Sequence, residues 1–115
     1  MTGAWGEHIA REYLERRGYR AVETNFRTRF GEIDIIAAHG QYIVFVEVKT
    51  RKSDRFAAAR EFVTPRKQQR LRAAAAEWLQ LHPTDQQPRF DVVEVYGGEG
   101  AAAPRVNHLE NAFGG

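Results

Sequence analysis

The chain has 115 residues, 43% of them hydrophobic, with no cysteine and a formal net charge of +2. Such a length supports one core and one domain over residues 1–115, and the missing cysteine excludes disulfide staples and thiolate metal sites and fits a reducing, cytoplasmic setting. No apolar run approaches the roughly 20 residues that span a bilayer, and the N-terminal stretch lacks a basic start with an apolar middle, so a soluble protein without a membrane partner is expected.

Residues 3 to about 17 read as a helix, with Trp5, Ile9 and Tyr13 along one stripe and Gly18 placed to stop it. The stretch "RAVETNFRTRFG" comes next and is assigned no element. Two strand-like runs follow, "EIDIIAA" and "YIVFVEVKT", rich in branched and aromatic residues, with "HGQ" between them as a tight turn. From Arg51 to Val63 the pattern fails and no element is assigned.

Thr64 then reads as an N-cap with Pro65 at the first helical position, and Leu71, Ala74, Ala75 and Trp78 form an apolar stripe ending near Leu81. Arg89 to Tyr96 alternates as a third strand, "GGEGAAAP" is a flexible connection, and "RVNHLENAF" adds an edge strand or a cap. No internal repeat is evident. The order implies an α/β fold, a central mixed sheet flanked by helices.

The hairpin poses a chemical question, because Asp34, Glu47 and Lys49 interrupt strands that otherwise read as buried. A buried charge is costly unless paired, hydrogen-bonded or metal-bound. Glu47 and Lys49 share a face. If Gly40 and Gln41 form a two-residue type II′ turn, His39 pairs with Tyr42, Asp34 falls opposite Glu47 and Glu32 opposite Lys49. A turn at His39-Gly40 would leave Asp34 diagonal to Glu47, and a three-residue loop would separate them.

Two carboxylates face to face repel unless a proton or a divalent cation lies between them. An oxygen-only site of this kind suits Mg²⁺ or Mn²⁺. Lys49, on the same face, can neutralise charge on a phosphoryl oxygen or orient water, which is the equipment for phosphodiester hydrolysis. Of the 17 basic residues 14 are Arg, so a lysine here is a selective choice, since a compact ammonium and a guanidinium are not interchangeable in a crowded site. The plainer alternative is that Lys49 simply pairs with Glu32 on a half-exposed face.

The blocks "GEIDIIA" and "VFVEVKTR", preceded by "GEHIAREYL" and "NFR" and followed by "NAF", resemble the YraN family of uncharacterised bacterial proteins. That family is similar to the Holliday-junction resolvase-like branch of the PD-(D/E)XK nuclease superfamily, with its restriction-endonuclease-like core. The resemblance implies a metal-dependent endonuclease acting on nucleic acid, possibly branched DNA, with Asp34 and Glu47 as metal ligands, the Val48 carbonyl as a further ligand and Lys49 as the motif lysine. It also implies a catalytic role for Glu7 in the first helix, whose plainer reading is an ion pair with Arg11. Ile33 stands where the motif often has proline, and the loop from Asp54 to Val63 departs from the form expected of relatives.

Clusters of arginine suggest a surface that meets an anion. Lys67 and Gln68, at a helix N-terminus suited to phosphate, are candidate nucleic-acid contacts, as are Arg27, Arg29 and Arg51 around the hairpin. Asp91 reads as a paired strand residue, and His8, His39, His82 and His108 have no metal-ligand spacing. The rival expectations are a nucleic-acid-binding module without turnover and an assembly protein of the same fold. An exposed strand edge is the sole hint of a homodimer.

Overall fold

The structure, a computed structural model, describes residues 4–51, 63–97 and 103–113. Helix α1 (Ala4–Arg16) leads into strands β1 (Arg20–Arg27), β2 (Glu32–His39) and β3 (Tyr42–Arg51), then helix α2 (Pro65–Leu81), β4 (Gln87–Tyr96) and β5 (Arg105–Leu109). The strands form one sheet in the order β1-β2-β3-β4-β5. All neighbours are antiparallel except β3 and β4, which are parallel. A parallel pair needs a long crossover, and α2 lies on the path between these two strands.

Both faces of the sheet are covered. Ala10 and Leu14 of α1 pack with Ile35, Ala37, Val44, Val46, Val48, Val93 and Val95. On the other face Leu71, Ala74, Ala75 and Trp78 of α2 meet Ile33, Ile36, Ala38, Ile43, Phe45, Phe90 and Val92. This double cover explains why β3 is an almost unbroken apolar run rather than an alternating one. Burying Leu71 alone contributes about 1.5–3 kcal/mol.

Local signals set the element ends. Gly18 takes φ 90°, the left-handed conformation, while its amide donates to the Glu15 carbonyl and that of Tyr19 to the Leu14 carbonyl. This paired arrangement is a Schellman stop, for which glycine carries no Cβ penalty. Thr64 caps α2, its hydroxyl accepting from the Lys67 amide at 3.2 Å. Pro65 follows at the first helical position.

One expectation changes, and one strand was not anticipated. The buried stripe of α1 is Gly6, Ala10 and Leu14, with Trp5, Ile9 and Tyr13 half-buried beside it, because small residues let the helix approach the sheet. Residues 20–27, to which the sequence assigned no element, form strand β1. It is a sheet edge whose side chains are mostly exposed, so little apolar alternation marks it, and its register shifts between Ala21 and Glu23. The segment left unassigned between Arg51 and Val63 lies outside the described residues, apart from its two ends, as does most of the expected glycine-rich connection. The last run supplies edge strand β5.

Midway along β4, opposite Val46 of β3, Asp91 is fully buried. It accepts two hydrogen bonds from Arg89, one from the Asn111 amide at 2.9 Å, and lies 2.7 Å from His108 Nε2. Sequence reading gave it a paired role, and its partners hold the chain after β5 against β4.

Candidate functional site

Gly40 takes φ 57° and Gln41 does not share the positive sign, as a type II′ turn requires. His39 pairs with Tyr42, and the ladder continues to Ile35 opposite Val46. The next position in register sets Asp34 against Glu47, but the backbone ladder has ended there. Instead the Asp34 side chain takes over as acceptor, receiving the Val48 amide at 2.8 Å. Beyond this point β2 stays paired with β1, so β2 and β3 part around two carboxylates.

Both acids are nearly closed off, Asp34 at 8% and Glu47 at 7% exposure. Burial first, and then the charge of Glu47, push the Asp34 carboxyl up to about 7, against the Val48 amide that favours its ionised form. Glu7 and Glu32 push it the same way. Glu47 is handled differently, because Lys67 Nζ lies 2.7 Å and Lys49 Nζ 3.4 Å from the same oxygen, Oε2.

The two ammonium groups are not equivalent. Burial pulls the Lys49 pKa down, opposed by Glu47 and aided by the neighbouring Lys67. Burial also works against the Lys67 charge, but its hydrogen bond to Glu47 and that carboxylate's charge prevail and raise its pKa. Lys49 therefore pairs with Glu47, and the expectation of a Lys49–Glu32 pair is replaced by a contact within its own strand.

Glu32 instead accepts from Asn25 Nδ2 at 3.0 Å, and the same nitrogen donates to both Glu7 oxygens at 3.0 and 3.1 Å. Arg11 turns to Glu15, not to Glu7. Asn25 thus brings the helical acid to the hairpin. It takes φ 54° within β1, a conformation that asparagine tolerates better than most residues. Sequence reading missed Asn25, and an asparagine in a polar edge strand offers no signal that distinguishes it from a surface residue.

The acids open onto a pocket of about 470 Å³ lined by Gly31, Glu32, Asp34, Glu47, Thr64, Arg66, Lys67, Arg70 and Leu71. One wall is acidic, and the N-terminal turns of α2 make the other basic. Arg66 and Arg70 were not singled out in the sequence, although both lie in "PRKQQR", with Arg70 one helical turn beyond Arg66.

The other candidate contacts are spread more widely. Arg27 is 80% exposed and 3.7 Å from Glu32. The Arg29 guanidinium stacks over Phe30 at 5.1 Å. Gln68 donates to the Val63 carbonyl at 3.2 Å, tying down the start of α2. Arg51 turns to the buried Glu94, 3.4 Å away, where Asn107 and the Tyr96 hydroxyl also donate to that carboxylate. Neither Gln68 nor Arg51 lines the pocket next to the acids.

An oxygen-rich, buried pair of acids, one of them driven toward neutrality first by burial and then by its neighbour, is a donor set that a hard divalent cation fits. Asp34 and Glu47 would hold it. Among the described residues no group of three or more His, Asp or Glu side chains gathers as a metal cluster, so a cation held by this pair would need further oxygens, as Mg²⁺ commonly takes from water and substrate. The Val48 amide is already committed to Asp34, and its carbonyl remains the third ligand implied by the resemblance.

No helix among the described residues is long and apolar enough to cross a membrane. Residues 6–95 match the model of the uncharacterised protein family UPF0102. A UPF0102 protein of Syntrophomonas wolfei is 45% identical over 112 residues, covering 96% of both chains. One from Alkaliphilus oremlandii is 46% identical over 114 residues, again covering 96% of each, and one from Geobacter sulfurreducens is 44% identical over 98% of this chain and 88% of its own. The motif resemblance and these matches agree, and the chain belongs to the uncharacterised protein family UPF0102.

Proposed function

We propose that the protein is a Mg²⁺- or Mn²⁺-dependent endonuclease that hydrolyses phosphodiester bonds in nucleic acid. The observation that carries this reading is the buried pair Asp34 and Glu47 at the parting of β2 and β3, with the Lys49 and Lys67 ammonium groups beside Glu47 and both acids and Lys67 lining an open pocket. In hydrolysis water adds to phosphorus, the bond to one sugar oxygen breaks and that oxygen takes up a proton. Asp34 and Glu47 would hold the cation, which would supply Lewis-acid activation and charge neutralisation.

Lys49 is placed to stabilise charge developing on a phosphoryl oxygen, and its lowered pKa makes it readier to exchange a proton. Lys67 reaches the same oxygen of Glu47 from α2 and bridges the acidic and basic walls. Glu7, fixed by Asn25, orients water at the edge of the site. The basic wall is suited to the phosphate backbone, and branched DNA is the substrate class that the motif resemblance suggests.

A second reading has its own support. Glu47 already has two ammonium partners, a state that satisfies the fold without a metal and fits a nucleic-acid-binding module that has no turnover.

The deciding experiment is a Mn²⁺ titration by calorimetry on wild type and Asp34→Asn, with and without a short four-way DNA junction, followed by a cleavage assay on the same DNA. Metal binding that strengthens with DNA and is lost in the variant supports the nuclease. If wild type and variant both ignore Mn²⁺ with DNA bound, the nuclease reading fails and the binding module replaces it.

A further inference from the structure

We propose that Arg66 and Arg70 form a phosphate clamp that holds the nucleic-acid strand beside the phosphodiester at Asp34 and Glu47. The clamp rests on the reading of the pocket as a phosphodiester site, and it names residues and a mode of binding that the motif does not supply. Both arginines line the pocket opposite the acids. They lie four residues apart on α2, which separates them by about 6 Å along the helix and places them on one side of it. That spacing is comparable with the step between neighbouring phosphates of one strand.

The two residues are prepared differently. Arg70, exposed and lining the pocket, donates from Nε to the Phe30 carbonyl at 2.5 Å, which anchors its guanidinium by that nitrogen. Arg66 is exposed, and among the described residues it has no hydrogen-bond or ion-pair partner. Arg89, by contrast, is committed to Asp91 and Tyr19, and Arg51 to Glu94. The pocket is where an arginine remains uncommitted next to buried acids.

The backbone adds to this. In the first turn of α2, Pro65 has no amide hydrogen, the Lys67 amide is taken by the Thr64 hydroxyl and the Gln68 amide by the Thr64 carbonyl. The Arg66 amide is left without an acceptor among the described residues. Arg66 therefore presents a main-chain donor and a guanidinium at the positive end of the helix dipole. Phosphate oxygens can accept from both, and guanidinium groups suit the bidentate geometry.

Because this clamp meets phosphates and no base edge, it should treat DNA and RNA strands alike and act through counterion release. The test is fluorescence anisotropy of the full chain with fluorescein-labelled oligo-dT and oligo-rU 20-mers in EDTA, over a series of salt concentrations. In the double variant Arg66→Gln/Arg70→Gln, the slope of log K against log salt should fall by about 1.4, two contacts at about 0.7 each, on both probes. Arg66→Gln alone has no internal bond to lose and should account for about half of that fall.

A control double variant, Arg16→Gln/Arg20→Gln, removes the same charge from the far end. Arg20 pairs with Ala38 near the hairpin turn, away from the pocket, and both residues are exposed. Its slope should stay at the wild-type value. Equal falls in the two double variants, an unchanged slope in the pocket variant, or no binding by wild type at 50 mM salt each overturn the clamp. The nuclease reading is decided separately by Mn²⁺ and Asp34→Asn, so an unchanged slope with intact metal binding removes the clamp alone. The reverse result leaves the clamp in a binding module.

Discussion

Asp34→Asn should make the metal-free protein more stable, and by an amount that depends on pH. The wild-type carboxyl is lifted from 3.8 to about 7 in the folded state, so the native protein holds this proton more tightly than the unfolded chain does. The associated stability is fully present below pH 4 and is lost as pH rises through 7. At about 1.4 kcal/mol per unit, a lift of roughly three units corresponds to ~4 kcal/mol at pH 8, as an upper bound. Asparagine keeps an oxygen for the Val48 amide and carries no charge to bury. Urea unfolding of both proteins in EDTA, followed by circular dichroism at pH 4.5, 6, 7 and 8, should show the variant gaining about 2–4 kcal/mol relative to wild type across the series. A difference that is flat with pH, or a variant less stable at pH 8, would refute the idea that Asp34 is a strained, half-neutralised acid.

Two further outcomes follow from other contacts. Asn25→Gly keeps access to φ 54° but removes the amide that binds Glu7 and Glu32; cleavage should fall at least tenfold while the melting temperature changes by only a few degrees, and unaltered cleavage would show that Glu7 needs no such tether. Asp91→Ala strands the buried Arg89 and His108 and should cost about 3–5 kcal/mol in urea unfolding, whereas a loss under 1 kcal/mol would mean that the buried pair is not what holds the chain after β5.

The parts of the fold that were legible in the sequence are those where local chemistry and burial agree. β3 is buried on both faces, so its apolar run is long, and Gly40 supplies the positive φ that sets the hairpin register. Thr64, Pro65 and the stripe from Leu71 to Trp78 mark α2 in the same way. β1 was hidden because an edge strand needs few apolar residues, and the α1 stripe was displaced by one because alanine and glycine carry little hydrophobic signal while allowing the closest approach. Within the site, Asp34 and Glu47 could be brought together by counting from one turn. Asn25 depends on β1 lying against β2 and α1 lying near both, and the preference of Arg51 for Glu94 depends on the parallel pairing of β3 with β4. Such contacts between distant segments leave no periodic trace.

The structure neutralises its two adjacent acids by different means, and this fixes what a cation must displace. Asp34 is eased by a proton at neutral pH, whereas Glu47 is eased by Lys67 and Lys49. A divalent cation binding both acids therefore competes with a proton on one and an ammonium on the other. Removing the ammonium competitor in Lys67→Met should strengthen Mn²⁺ binding to the free protein by about tenfold, on the order of 1.4 kcal/mol. The proton shows separately, through calorimetry in buffers of different ionisation enthalpy: wild type should release more protons per Mn²⁺ at pH 6.5 than at pH 8.5, where Asp34 is already ionised. The converse result, weaker binding in Lys67→Met, would mean that Lys67 orders Glu47 for the metal rather than standing in its place. In that case the contact at 2.7 Å is a support that the metal site keeps.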